Sequence, residues 1–168
     1  MNPFFFSGDG RHDRIPPVLC DGGIIYAFFK QSERWVSQKR YVYNIPKSTF
    51  GEASKGTGMG KFKRALDDKY VYFDYESYIN DQEALAHAIF AWDDKSKIYR
   101  FWWFESSGNF SQATCDFIDN DNLFLNWHDS LLIQRFSKIN TNNVILRMEK
   151  PISNGKYELI LEVIFKKK

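Results

Sequence analysis

The chain has 168 residues, and its 23 Lys and Arg against 21 Asp and Glu give a formal net charge of +2. This length predicts one domain that can bury its own core, and so balanced a charge argues against nucleic acid and against an anionic membrane surface as partners. Aromatic residues make up 18% of the chain, which suits β-structure, because flat rings pack well across neighbouring strands.

Residues 1–33 are predicted to form an irregular N-terminal cap. Prolines and glycines interrupt residues 1–23, and the apolar run of residues 24–30 is interpreted as a short helix over one end of a barrel. The first residues lack the basic stretch of a secretory signal, and Asp9 interrupts them. No apolar run reaches the roughly 20 residues that a membrane span requires. We therefore expect a cytoplasmic protein.

Residues 34–168 are predicted to form an all-β domain. Short apolar and aromatic runs recur at a regular spacing, and turns rich in Asn, Asp, Gly and Ser separate them. Asn154-Gly155 is the clearest hairpin turn. Residues 47–60 are interpreted as the longest loop, with the glycine-rich residues 56–60 as a flexible lid. The predicted strands cover residues 35–44, 61–66, 69–79, 84–92, 98–105, 110–118, 123–128, 131–139, 144–149 and 157–165.

The number of strands predicts how the sheet is arranged. An open sheet of so many strands would leave two unpaired edges, and closure of the sheet removes them. We therefore predict an antiparallel up-and-down barrel of about nine to ten strands. A barrel of this size is wider than side chains alone would fill, so a ligand cavity is expected.

A motif in the middle of the chain points to a family. Trp92-Asp93 form an aromatic-Asp turn, residues 97–100 contain a Lys and a Tyr, and residues 101–108 read FWWFESSG. In this pattern the chain resembles bacterial lipocalin-like (calycin) barrels, most of them known only as domains of unknown function. The resemblance implies a lipocalin-like barrel whose inner face binds a small, largely apolar molecule, and it implies no defined reaction.

The resemblance extends loosely from Trp35 to Phe165, and it departs from the family's pattern at the start of the barrel. Such families usually open with Gly-x-Trp, whereas Glu33 and Arg34 precede the Trp here. A haem-binding branch of these barrels uses a His near the C-terminal strands, and no His lies in the last three predicted strands. We therefore expect no cofactor.

The candidate ligand site lies on one predicted strand. Side chains alternate along a strand, so one face carries Tyr99, Phe101, Trp103 and Glu105. A carboxylate beside rings is desolvated unless it is paired, and Arg135 or Arg147 on later strands could pair with Glu105. This arrangement predicts either a structural ion pair at the barrel mouth or a polar anchor that orients a ligand.

His87 is the remaining candidate for the site. It alternates with Leu85 and Ile89, so it is interpreted first as a core histidine and second as a ligand contact or a base. None of the histidines or cysteines has the spacing of metal ligands, so no metal site is expected. Whether Cys20 pairs with Cys115 is open at this point.

Three functions stay open. The first is binding of a small apolar or aromatic ligand in the barrel, with Glu105 and Arg135 as the polar anchor. The second is a small-molecule enzyme that transfers a proton, with Glu105 or His87 as the general base. The third is a barrel without ligand that acts through its surface, for example as a homodimer.

Overall fold

The structure is a computed structural model, and it describes residues 36–49, 51–66, 69–79, 82–140 and 142–167. The predicted N-terminal cap and its helix lie outside these residues. Among the residues described, there is no helix with the length and apolarity needed to cross a membrane. The strands are β1 (Val36–Ile45), β2 (Ser54–Ala65), β3 (Tyr70–Ile79), β4 (Gln82–Asp93), β5 (Ile98–Glu105), β6 (Phe110–Asp119), β7 (Asn122–Trp127), β8 (Ile133–Asn140), β9 (Asn143–Pro151) and β10 (Tyr157–Lys167).

The ten strands form a closed antiparallel barrel. Each strand pairs with its neighbours in sequence, and β1 also pairs with β10, from Asn44 opposite Glu162 to Lys39 opposite Lys167. No edge strand is left among them, which is the physical reason for expecting closure. The predicted up-and-down barrel is confirmed, and every predicted strand is present.

The predicted hairpin turn at Asn154-Gly155 is also confirmed. These residues join β9 to β10 with positive φ angles of 63° and 69°. Both central positions of a type I′ turn need positive φ, which Asn and Gly adopt at little cost. The turn closes with a hydrogen bond from the Ile152 amide to the Lys156 carbonyl, 2.9 Å long.

Alternation along each strand separates the filled interior from the outer surface. On β5, Tyr99 and Phe101 are buried, whereas Arg100 and Trp102, which alternate with them, are only half-buried. Large aromatic rings dominate the interior. Those that are almost completely buried are Tyr43, Phe62, Phe73, Phe90, Phe101, Phe136 and Phe165.

The glycine-rich residues belong to β2 and do not form a lid. β2 pairs with β1 on one side and with β3 on the other. A Cβ on Gly60 would lie 2.7 Å from Cε2 of Phe73, and a Cβ on Gly56 would meet the ring of Tyr43. The predicted loop is therefore wrong from Ser54 onwards. Glycine is needed in this strand because large rings approach its backbone closely.

Candidate functional site

The barrel holds a cavity of about 440 Å³ at one end. Exposure increases towards that end, because along β5 Phe101 is buried, Trp103 is half-buried and Glu105 is exposed. Phe73, Phe101 and Phe136 close the inner end of the cavity, and each is 1% exposed. The mouth lies where β5 turns into β6 and where β7 turns into β8, since Glu105 and Asp129 both line the cavity there.

Aromatic rings from three strands form much of the cavity wall. The ring centroids of Tyr75 and Trp103 are 5.2 Å apart at an interplanar angle of 65°. Those of Phe101 and Trp127 are 5.5 Å apart at 79°. Such edge-to-face pairs are favourable beyond the apolar area they bury. The rings therefore support one another while their remaining surface faces the cavity.

Glu105 is held at the mouth by two neutral donors. The Trp103 indole Nε1 donates a hydrogen bond to its Oε1 at 3.0 Å, and the Ser107 hydroxyl donates to its Oε2 at 3.1 Å. Because Glu105 ends β5 on the inner face, alternation places it directly above Trp103. Two neutral donors therefore orient the carboxylate, and no described residue forms an ion pair with it.

Two further polar pairs lie in the wall and the mouth. The Trp127 indole Nε1 donates a hydrogen bond to Gln134 Oε1 at 3.1 Å, and Gln134 is only 5% exposed. At the mouth, the Ser111 hydroxyl donates to Asp129 Oδ2 at 2.7 Å. The cavity therefore combines a mainly apolar wall with a few oriented polar atoms, as ligand sites usually do.

A buried phenol lies behind the wall residue Tyr75. Burial, and secondly the proximity of Tyr75, raise the pKa of Tyr43 to about 12, although a hydrogen bond with Ser77 opposes this. Tyr43 therefore stays protonated at neutral pH. An efficient general base needs a pKa near the working pH, so Tyr43 does not fit that role.

The structure brings together three of the predicted site residues. Phe101, Trp103 and Glu105 all line the cavity. Tyr99 shares their face but lies deeper, where its ring packs against Trp92 at 4.8 Å and against Phe117 at 5.9 Å between centroids. Tyr99 is therefore part of the filled end of the barrel.

Arg135 does not meet Glu105. Gln134 and Phe136 face the interior of β8, so Arg135 lies on the outer face, beside Phe124 on β7 and Arg147 on β9. The predicted pairing of Arg135 with Glu105 is therefore wrong. The apolar residues before Arg135 suggested an inward face, yet Leu131 is 84% exposed and precedes the strand.

His87 also lies outside the barrel. Its Nδ1 is 2.7 Å from Asp74 Oδ1 on the neighbouring strand β3, and its ring packs edge-on against Tyr72. The expectation of a core histidine is wrong, because the inner face of β4 carries Ala88 and Phe90. His87 therefore has no access to the cavity, either as a ligand contact or as a base.

Most of the residues that line the cavity were not among the predicted site residues, and they include Tyr75, Trp127, Asp129 and Gln134. Two of these four carried a usable signal. Tyr75 continues the alternation of Val71 and Phe73, and Trp127 continues that of Leu123 and Leu125. Gln134 carried none, because an amide that is buried against an indole looks like a surface residue in a sequence.

The thiol of Cys115 belongs to the packed interior. It is free and buried, and burial raises its pKa, with a smaller contribution from Asp116. Cys20 lies outside the described residues. Within the described part of the chain, no group of three or more His, Cys, Asp or Glu side chains could hold a metal ion.

Comparison with known proteins adds little to this geometry. No protein-family model matches the chain, and no curated protein matches it. Among solved structures, the chain is similar to a de novo designed fluorescence-activating β-barrel. The TM-score is 0.39 and the identity is 11%, over 79% of this chain and 92% of the designed barrel. A likeness at this level says nothing about a ligand of the present chain.

Proposed function

We propose that this protein is a lipocalin-like barrel that binds a small, largely apolar or aromatic molecule inside its cavity. The observation that carries the proposal is the cavity of about 440 Å³, which opens at one end of a closed barrel and is walled by aromatic rings. Small-molecule sites typically have volumes of about 300–1,000 Å³ and a few polar groups in an apolar wall. The cavity fits that description in size and in composition.

The proposal assigns separate roles to the cavity residues. Phe101 and Trp103 supply apolar contact, together with Tyr75 and Trp127. Glu105 supplies the polar contact at the mouth. Burying a flat ligand against these rings removes apolar surface from water, and that burial is the main favourable contribution to binding. The predicted contributions of Tyr99, Arg135 and His87 are withdrawn because these residues do not line the cavity.

We also propose a family, a cellular location and an assembly for this protein. The lipocalin-like (calycin) and bacterial character rests on the motif from Trp92-Asp93 to Gly108. A cytoplasmic location is supported by the free thiol of Cys115, because free thiols persist in reducing compartments. A homodimer is supported by Phe104 and Phe110, which stack on the outer face and are 41% and 66% exposed. Sedimentation of the purified protein would test the dimer.

The experiment is native mass spectrometry of the protein purified gently from its host, with a pair of variants that separates the cavity from the surface. Leu161→Trp replaces an aliphatic side chain in the cavity wall on β10 with a bulky ring, whereas Ile164→Trp places the same ring on the outer face of that strand. We expect a co-purifying small molecule with the wild type and with Ile164→Trp. We expect Leu161→Trp to lose it. Bare protein masses in all three preparations, or equal occupancy in the two variants, would count against the proposal.

A further inference from the structure

The cavity carries charge of only one sign. Among the described residues that line it, Glu105 and Asp129 are charged, and none is Lys, Arg or His. Composition does not account for this, because the chain as a whole has slightly more basic than acidic residues. Nearby cations lie on other surfaces, since Arg135 is on the outer face of β8 and Arg147 pairs with Glu162 at 2.9 Å.

In the described part of the chain, the two carboxylates have only neutral hydrogen-bond partners. Their hydrogen-bond donors are neutral, namely the indole of Trp103 and the hydroxyls of Ser107 and Ser111. Neither carboxylate forms an ion pair with any side chain in the described part of the chain. A negative potential at the mouth of a low-dielectric cavity attracts cations.

The wall below the carboxylates suits a cation as well. Trp103 and Tyr75 stand at 65° to each other, and Trp127 lines the same cavity. The faces of such rings carry partial negative charge, and they attract ammonium groups, most strongly when the groups are partly desolvated. Carboxylates above aromatic rings are therefore complementary to an organic cation.

Gln134 adds an oriented polar group to the wall of this cavity. It is 5% exposed and lines the wall, and its Oε1 is occupied by the Trp127 indole, which can only donate. That assignment leaves the amide nitrogen as a donor without a hydrogen-bond partner among the described residues. That nitrogen can donate a hydrogen bond to an acceptor atom of a ligand in the cavity.

We propose that the ligand is an organic cation, an amine or quaternary ammonium compound with an aromatic or otherwise apolar body. Its charged group lies between Glu105, Asp129 and the ring of Trp103. Its body lies deeper in the cavity, where an acceptor atom can reach the amide of Gln134. This inference rests on the proposed function, because it names the class of ligand that the same cavity binds.

The test uses three probes that share a benzene ring and have the same number of non-hydrogen atoms. Phenyltrimethylammonium is a cation, tert-butylbenzene is its neutral counterpart, and benzenesulfonate is an anion. Each is titrated calorimetrically into the wild type, into Glu105→Gln and into Asp116→Asn. Glu105→Gln removes the charge, keeps one acceptor oxygen for the Trp103 indole, and places an amide nitrogen that can donate to the Ser107 hydroxyl oxygen. Asp116→Asn removes one charge from the outer face of β6 and serves as the matched control.

We expect the wild type to bind the cation about tenfold more tightly than the neutral probe, as ring faces and a nearby carboxylate together allow. Glu105→Gln should lower the affinity for the cation about three- to tenfold and leave the affinity for the neutral probe unchanged. The loss is modest because solvent at the mouth partly screens the charge pair. Asp116→Asn should change neither affinity. The affinity for the cation, and not for the neutral probe, should also fall as salt is added.

The other outcomes separate this inference from the proposed function. If the neutral probe or the anion binds as tightly as the cation, the inference is overturned and the binding barrel stands. The same conclusion follows if Glu105→Gln and Asp116→Asn lower the affinity for the cation equally. If none of the three probes binds to a folded wild-type protein, the inference and the proposed function are both overturned.

Discussion

Replacing Gly60 by Ala tests how tightly the barrel interior is packed around β2. Gly60 is buried on the inner face, and the new methyl carbon would lie 2.7 Å from Cε2 and 3.4 Å from Cζ of Phe73, and 3.5 Å from Cε1 of Phe165. A contact of 2.7 Å between carbons is repulsive, so the ring of Phe73 has to move. That ring is 1% exposed and stacks on Phe62 with centroids 4.2 Å apart. Its displacement therefore disturbs several neighbours.

Two opposing effects determine how much Gly60→Ala changes the free energy of unfolding. Overpacking of a well-packed core typically costs about 1–3 kcal/mol. Ala also restricts the unfolded chain more than Gly does, which favours folding by about 0.4–1 kcal/mol. Gly60 is not among the residues with positive φ, so no backbone strain is added. We expect a net loss of about 1–2 kcal/mol in the free energy of unfolding, which for a domain of this size lowers Tm by about 2–8 °C.

The assay is urea and thermal unfolding followed by circular dichroism. Lys61→Ala is the matched control, because Lys61 follows Gly60 on the same strand and points to solvent, and we expect its Tm to stay close to that of the wild type. In the double variant Gly60→Ala/Phe73→Leu the two losses should not add, since the smaller side chain makes room for the methyl group. A Gly60→Ala protein as stable as the wild type would contradict the close approach of Phe73 to β2.

Two further predictions concern ionisable groups. The hydrogen bond from Arg100, followed by that from the Ser96 backbone, lowers the pKa of Asp93 to about 2. Charged Asp93 therefore stabilises the fold above about pH 4, and this contribution is lost as the pH falls towards 2. We expect the urea midpoint to fall more steeply over that range in the wild type than in Asp93→Asn, and parallel pH profiles would refute this. In a Cys20→Ser background, we expect iodoacetamide to modify Cys115 only after unfolding, because burial raises its pKa. Rapid modification of the folded protein would show that the thiol is accessible.

The architecture could be predicted from the sequence because it depends on local signals. Strand length, turn residues such as Asn154-Gly155 and the need to remove sheet edges are all visible in a single chain. On β5 the alternating positions lead from the rings to Glu105, and Phe101, Trp103 and Glu105 line the cavity, whereas the predicted Tyr99 lies deeper. Placing these residues required knowing only which face of one strand points inward, and the unbroken aromatic pattern of β5 indicated that face.

The errors arose where the inward face depended on other strands. On β8 both faces carry apolar residues, so a shift of one residue placed Arg135 inside and Gln134 outside. On β4 His87 shares the apolar outer face of Leu85 and Ile89, and its partner Asp74 is on the neighbouring strand.

The wrong prediction of a loop at the glycines of β2 had a different cause. Gly56 and Gly60 are required by the rings of Tyr43 and Phe73, which come from the two flanking strands. A glycine leaves no side chain whose polarity could indicate a strand, so its packing role cannot be read from local sequence.

The most direct test of ligand binding in the cavity is the ¹H–¹⁵N spectrum of the tryptophan indole groups during titration with the cationic and neutral probes. The indoles of Trp103 and Trp127 line the cavity and donate to Glu105 and Gln134, whereas Trp102 lies on the outer face of β5. If the cavity is the binding site, the Trp103 and Trp127 resonances shift with saturation and the Trp102 resonance stays in place. Unchanged Trp103 and Trp127 resonances with every probe, or shifts confined to Trp102, would contradict a ligand site inside the barrel.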